Sequence, residues 1–197
     1  MGSIAGILLA AGASRRFGAD KLTQKLPDGS LVAVRACRNL LAATDKVLAV
    51  VRPGSEALAA QLSAAGAEVG ICTDAENGMS ASLVFGIRSC PEASGWLIAL
   101  ADMPWIAPKT IRKVVDALRL GAPIAVPCWL GRHGHPVGFS QALGPDLAAL
   151  RGDAGAKAVI QAYLDQAHLI DCNDPGIFKD IDRPEDLSSS DNFKMPS

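Results

Sequence analysis

From Ile4 to Ala11 the chain is one short aliphatic run, and it opens without a polar break into Gly12-Ala13-Ser14-Arg15-Arg16-Phe17-Gly18-Ala19-Asp20-Lys21. A run this short, apolar at every position and bounded by glycine, predicts a strand covered on both faces, as in a parallel sheet. The small residues after it let backbone approach a ligand closely. Arg15, Arg16 and Lys21 add three cations within reach of the same loop. Free N–H groups with converging cations form an anion site, and a phosphate chain is the usual occupant. Two familiar phosphate loops do not fit. A P-loop needs lysine directly after its last glycine and then a hydroxyl, whereas Gly18 is followed by Ala19-Asp20-Lys21. A dinucleotide fingerprint needs three glycines where this chain has Ala-Ala-Gly-Ala-Ser-Arg. The plainer alternative is a strand-to-helix turn with solvated arginines.

Further along, apolar runs and helical periodicities alternate. Strands are predicted at 46–51, 68–73, 96–101 and 124–126, with helices from Leu31 to about Thr44, Ser55 to Ala65, Ser80 to Cys90 and Pro108 to Leu120. Such alternation implies β/α units with right-handed crossovers and a mostly parallel sheet between helices, a three-layer α/β/α, Rossmann-like architecture. Sheets of this kind bind ligands beyond the carboxyl ends of their strands, where the first loop, the Asn77 loop and Asp102 are all expected. The last third is less regular: a short strand at 135–139, a helix at 153–165 and a strand at 168–172. One domain is expected over residues 1–187, with a frayed polar tail over 188–197.

Nineteen Lys and Arg against twenty Asp and Glu leave a formal charge of −1, so no global field draws nucleic acid or an anionic membrane. Five scattered cysteines without a C-x-x-C pair suggest reduced thiols. The first apolar run is too short to span a bilayer and has no basic region before it. These features point to a cytoplasmic, soluble protein.

The stretch L-A-A-G-x-S-x-R-x-G-x-x-K resembles the signature of the MobA/MocA-like NTP transferase family, which includes molybdenum-cofactor guanylyl- and cytidylyltransferases. The resemblance implies the family's nucleotidyltransferase fold and a loop that wraps a triphosphate, with Ala10, Ala11, Gly12, Ser14, Arg16 and Lys21 as nucleotide-binding residues. Asn77-Gly78-Met79-Ser80 is similar to a loop of the family that lies near the nucleotide, giving Asn77, Gly78 and Ser80 the same assignment; simple helix capping explains Ser80 equally well.

Asp102 closes an apolar strand, and a carboxylate there is costly unless it meets a cation or donors. It is either a turn former or cap for the helix at Pro108, or a ligand for a hard cation. The run Leu100-Ala101-Asp102-Met103-Pro104 resembles the family's metal motif, which implies Mg²⁺. Asp180-Ile181-Asp182-Arg183-Pro184-Glu185-Asp186-Leu187 is similar to a second acidic motif, with Arg183 where threonine is usual, and implies Asp182 as the partner ligand. The same segment also reads as a helix N-terminus, with Glu185 or Asp186 stabilising it. Gly134-His135-Pro136-Val137 and Gly152-Asp153-Ala154-Gly155-Ala156 look like the cytidylyl branch specifically. They make His135, Pro136, Asp153 and Gly155 the acceptor-binding candidates.

Together these resemblances imply CMP transfer from CTP to the terminal phosphate of molybdopterin, with Arg16, Lys21 and Asp102 catalytic and Mg²⁺ on Asp102 and Asp182. The implied protein is a monomer whose client would be a molybdenum hydroxylase. A guanylyltransferase of the same cofactor, a sugar- or polyol-phosphate cytidylyltransferase and a non-catalytic cofactor-delivery partner stay open.

Overall fold

The computed structural model describes residues 2–12, 20–153 and 155–188. Four strands, β1 (Ile4–Leu9), β2 (Lys46–Val51), β3 (Glu68–Ile71) and β4 (Gly95–Leu100), lie parallel in the order β3-β2-β1-β4. The sheet continues through β7 (Val137–Ser140) and β5 (Ile124–Trp129) to β8 (Ala167–Asp171), while β6 (Arg132–His133) pairs with the far end of β5. β7 runs antiparallel to both β4 and β5, and β6 antiparallel to β5. The sheet is therefore mostly parallel, with reversed strands in its second half.

Alternation along each central strand divides the core into two layers. Ile4 and Leu8, Val47, Ala49 and Val51, and Leu97 and Ala99 face one side, where α1 (Val32–Leu41), α2 (Glu56–Ala64) and α4 (Pro108–Arg119) cover them. Ala5 and Ile7, Leu48 and Val50, and Trp96 and Ile98 face the other, beneath α3 (Met79–Arg88), α5 (Gly144–Ala148) and α6 (Lys157–Ala162). This is the expected three-layer arrangement, and it explains why the strands read as unbroken apolar runs: both of their faces are inside. At Gly86 of α3 a β-carbon would collide with Ile7, so the absence of a side chain lets the helix sit directly on β1.

Several boundaries shift. The first strand stops at Leu9, and β5 runs on through Pro127 to Trp129. The helix expected over 153–165 forms only at Lys157–Ala162, because Gly152 and Gly155 hold positive φ angles of 74° and 55° that a helix cannot carry. β6 and α5 are additions to the sequence reading. All five cysteines are unpaired, four of them buried, and burial pushes the Cys37 thiol up to about 11. Among the described residues no helix is long and apolar enough to cross a membrane. The expected tail, apart from Ser188, lies outside the described residues.

Candidate active site

The central pair β1 and β4 delivers the site. Ala101 N–H donates to Leu9 O at 3.1 Å and Ala10 N–H to Val50 O at 2.9 Å, so the backbone leaves the sheet held on both sides. Ala10 is buried, Ala11 half-buried and Gly12 exposed; Ser14 and Arg16 lie outside the described residues. Asp20 has a carboxylate that accepts from Leu22 N–H at 3.2 Å and starts a single 3₁₀ turn over Lys21–Thr23. That turn fixes the backbone of Lys21 and leaves its four-carbon stem to aim the charge.

The charge is aimed at carboxylates. Lys21 Nζ lies 2.7 Å from Asp102 Oδ2 and 2.9 Å from Asp182 Oδ1, with the lysine side chain 13% exposed. Ile181 N–H donates to Asp102 O at 2.9 Å, which stitches the distant 180–182 segment to the end of β4. With Ile181 fully buried in that extended stretch, its neighbours Asp180 and Asp182 project together on the other side. One oxygen each from Asp102, Asp180 and Asp182 falls within 4.8 Å of the others, a group with the dimensions of a metal site. Asp102 Oδ1 is buried and has no hydrogen-bond partner among the described residues, an acceptor suited to a cation.

Electrostatics follow from this crowding. Burial opposes the charge on Lys21, but the hydrogen bonds and charges of Asp102 and then Asp182 outweigh it and hold the ammonium above its ordinary value. Desolvation, with the like charges of Asp182 and Asp102, pushes Asp180 up, and Lys21 offsets this only in part. The structure also narrows the two readings of Asp102. α4 begins at Ala107-Pro108 without a capping side chain of its own, and its cap is the buried Asp174, whose Oδ2 accepts from Ala107 N–H at 3.0 Å and Thr110 Oγ1 at 2.6 Å. Asp102 is not needed there. Asp186 Oδ2 in turn accepts from Asp182 N–H at 3.0 Å and Arg183 N–H at 2.8 Å, the terminus-stabilising role expected near Pro184.

His135 lies between β6 and β7, near enough to Asp102 to feel its charge. Its N–H donates to Ile177 O at 3.0 Å, Gly134 N–H donates to Pro127 O at 2.9 Å, and Pro136 is buried behind a cis peptide. Burial depresses the His135 pKa, the charge of Asp102 pulling the other way, and Nδ1 is buried with no partner among the described residues. The Asn77 loop and the Gly152 loop form a separate unit. Gly78 takes φ 105° and packs against Asp153 and Gly152, so that a β-carbon would lie 2.7 Å from Gly152 O. Ser80 N–H donates to that same oxygen at 3.0 Å. Ser80 is fully buried, which sets it apart from the exposed Asn77 as a ligand contact. Gly155 is buried beside Met79. A cavity of about 470 Å³ runs along α3 past Asn77, Arg88, Arg151 and Gly152 and touches none of the three carboxylates.

The sequence model of the MobA-like NTP transferase domain matches residues 6–168. This chain belongs to that family. The MobA-like chain is 32% identical to the purine catabolism protein PucB of Bacillus subtilis (strain 168), covering 92% of each. It is 28% identical to nicotine blue oxidoreductase of Paenarthrobacter nicotinovorans, covering 93% of this chain and 94% of that one. Among solved structures, Rv0371c of Mycobacterium tuberculosis H37Rv superposes with a TM-score of 0.81 at 27% identity over 94% of this chain and 95% of that one. A manganese complex of Rv0371c has been solved, with a TM-score of 0.78 at 25% identity over 93% and 95%. In this MobA-like site the residue that sequence reasoning passed over is Asp180. The signal was present: two acids separated by one apolar residue in an extended segment must share a side.

Proposed function

We propose that the chain is a cytoplasmic, monomeric cytidylyltransferase that moves CMP from CTP onto the terminal phosphate of a molybdopterin-type acceptor. The observation that carries this reading is the meeting of Lys21 with Asp102, Asp180 and Asp182 at the edge where β1 and β4 end. An acceptor phosphate oxygen attacks the α-phosphorus of CTP, forming a new P–O bond. The bond from that phosphorus to the bridging oxygen breaks, and its electron pair leaves with pyrophosphate. A phosphate monoester is already largely ionised near neutral pH, so no strong base is required. Lys21 stabilises charge that gathers on the departing pyrophosphate, and by resemblance Arg16 adds a second cation. Asp102 and Asp182, with Asp180 beside them, are the residues that would hold Mg²⁺, which when bound neutralises triphosphate charge. Ala10, Ala11, Gly12, Ser14, Asn77 and Gly78 are assigned to the nucleotide. His135, Pro136, Asp153 and Gly155 are assigned to the acceptor, and a molybdenum hydroxylase is the client that takes up the product.

Pyrophosphate release measured across the four nucleoside triphosphates, with molybdenum-loaded and metal-free molybdopterin, tests the reading. Release with CTP and pterin together is expected. Release with GTP instead would reassign the base, and tight pterin binding without release under any triphosphate would make the chain a delivery partner.

A further inference from the structure

We propose that the cavity along α3 is a second ligand site, one that takes a small aromatic acid and lies apart from the carboxylate cleft. The inference goes beyond nucleotidyl transfer and stands without it. The cavity holds about 470 Å³, within the usual range for a site that buries a small organic molecule. Ala81, Val84, Phe85 and Arg88 recur at helical spacing, so they share a stripe of α3 beside the face that Gly86 sets on β1. A β-carbon on Gly70 would collide with the Phe85 ring, so that ring lies against β3 as a fixed wall. Val84 is buried and Leu150 half-buried, which makes the middle of the lining apolar.

Charge on the lining selects an acid. Arg88 and Arg151 both line the cavity, with Asp74 as its one carboxylate. Neither arginine pairs with an acid among the described residues. Arg151 Nη1 donates to Leu150 O at 2.7 Å and to Ala148 O at 3.4 Å, so its guanidinium is fixed to the backbone after α5 while the other nitrogens stay available. A planar fork of this kind matches the paired oxygens of a carboxylate or a phosphate. The site is also removed from the cleft. Arg88 ends α3 about 14 Å along the axis from Met79, and none of Asp102, Asp180 and Asp182 lines the cavity. Asn77 is the one lining residue that the nucleotide assignment also uses. A flat ring against Phe85, Val84 and Leu150 with a single acid group on the arginines fits this lining, and Asp74 disfavours a second acid group.

Isothermal titration calorimetry of the full chain with naphthyl phosphate and with naphthoate, against neutral naphthol, tests the inference. At least one of the two acids should bind, the tighter of them identifying the acid group, and naphthol should bind roughly tenfold more weakly or worse. Arg88→Gln and Arg151→Gln should each weaken binding of that acid roughly tenfold. Ala81→Trp fills the cavity and keeps both charges, so a chain with this change and a wild-type circular dichroism spectrum should not bind it. Lys21→Met removes the ammonium of the cleft and should leave its binding unchanged. Equal affinity for acid and naphthol, full binding in both arginine variants or in folded Ala81→Trp, or no binding by wild type overturns the inference. Loss of binding in Lys21→Met, with both arginine variants unaffected, puts the probe in the cleft and overturns it too. Failure of pyrophosphate release would overturn the cytidylyltransferase reading and leave this site standing.

Discussion

Replacing Asp174 by alanine should cost more stability than any surface change in this chain, and the structure sets the size. Asp174 is 6% exposed and satisfies three donors: Ala107 N–H at 3.0 Å, Thr110 Oγ1 at 2.6 Å and Gly176 N–H at 3.0 Å. Hydrogen bonds to a charged acceptor contribute about 1.5–3 kcal/mol each, and a buried donor left alone costs about 1–3 kcal/mol. The Thr110 hydroxyl can rotate to another acceptor and water can enter the vacated space, so the net loss should be about 3 kcal/mol rather than the sum. In a chain of this size each kcal/mol shifts the melting temperature by about 2–4 °C, which gives a drop of about 6–12 °C. Differential scanning calorimetry reads this directly. Asp174→Asn keeps one carbonyl acceptor and should fall between the two. A shift under about 2 °C for the alanine variant would mean that the donors find other partners and that the cap adds nothing. Because the same carboxylate ties down the turn at Pro175–Phe178, which leads into Asp180 and Asp182, manganese affinity should weaken in the same variant.

Asp102→Asn preserves shape and removes charge; turnover should fall below about a tenth of wild type, a barrier increase above about 1.4 kcal/mol, with the melting temperature little changed. CTP should be preferred over GTP by roughly tenfold to two-hundredfold in kcat/KM, because the family resemblance puts the Ala11 methyl where the guanylyl branch, unlike this chain, carries glycine, and a GTP preference would refute this. Asp45 accepts from Ile4 N–H at 2.8 Å and pairs with Arg119, and those contacts hold its carboxyl below the ordinary range against a modest desolvation cost. Its contribution is present above the unfolded-state value and lost as pH falls through the lower folded value. The melting-temperature gap between wild type and Asp45→Asn should close on acidification, and a gap constant across that range would contradict the assignment.

How much could be read in advance depended on how local the cause was. β1, β2 and β4 are legible because burial on both faces leaves them apolar throughout. Lys21, Asp102 and Asp182 could be singled out because each sits at a strand end or in a short motif that resembles the family's, and the structure brings their side chains together. The role of Asp174 is not, since a helix starting at Ala107-Pro108 gives no hint that its cap lies in a turn packed beside it from much later in the chain. The reversed strand β7 escaped for a similar reason: four residues of pattern show a strand but not its direction. The burial of Ser80 is not legible either: its motif puts it at the start of a helix and says nothing of how deep that start lies.

That reversal of β7 has a consequence for how such a chain can change. In a wholly parallel sheet only segments that follow strands arrive at the carboxyl edge, and each is tied to the helix after it. With Val137 opposite Ile98 and Ser140 opposite Gly95, β7 starts at that edge, so the segment before it, Gly134-His135-Pro136, is what it delivers. That segment belongs to a hairpin-like excursion from β5 that no helix interrupts. Its backbone is tied to Pro127 and Ile177 and not to the ladders of β1, β2 and β4, so a change there acts first on the turn at Pro175–Phe178. The two halves of the site thus hang from different parts of the sheet and meet through the segment that runs from Ile177 to Asp182.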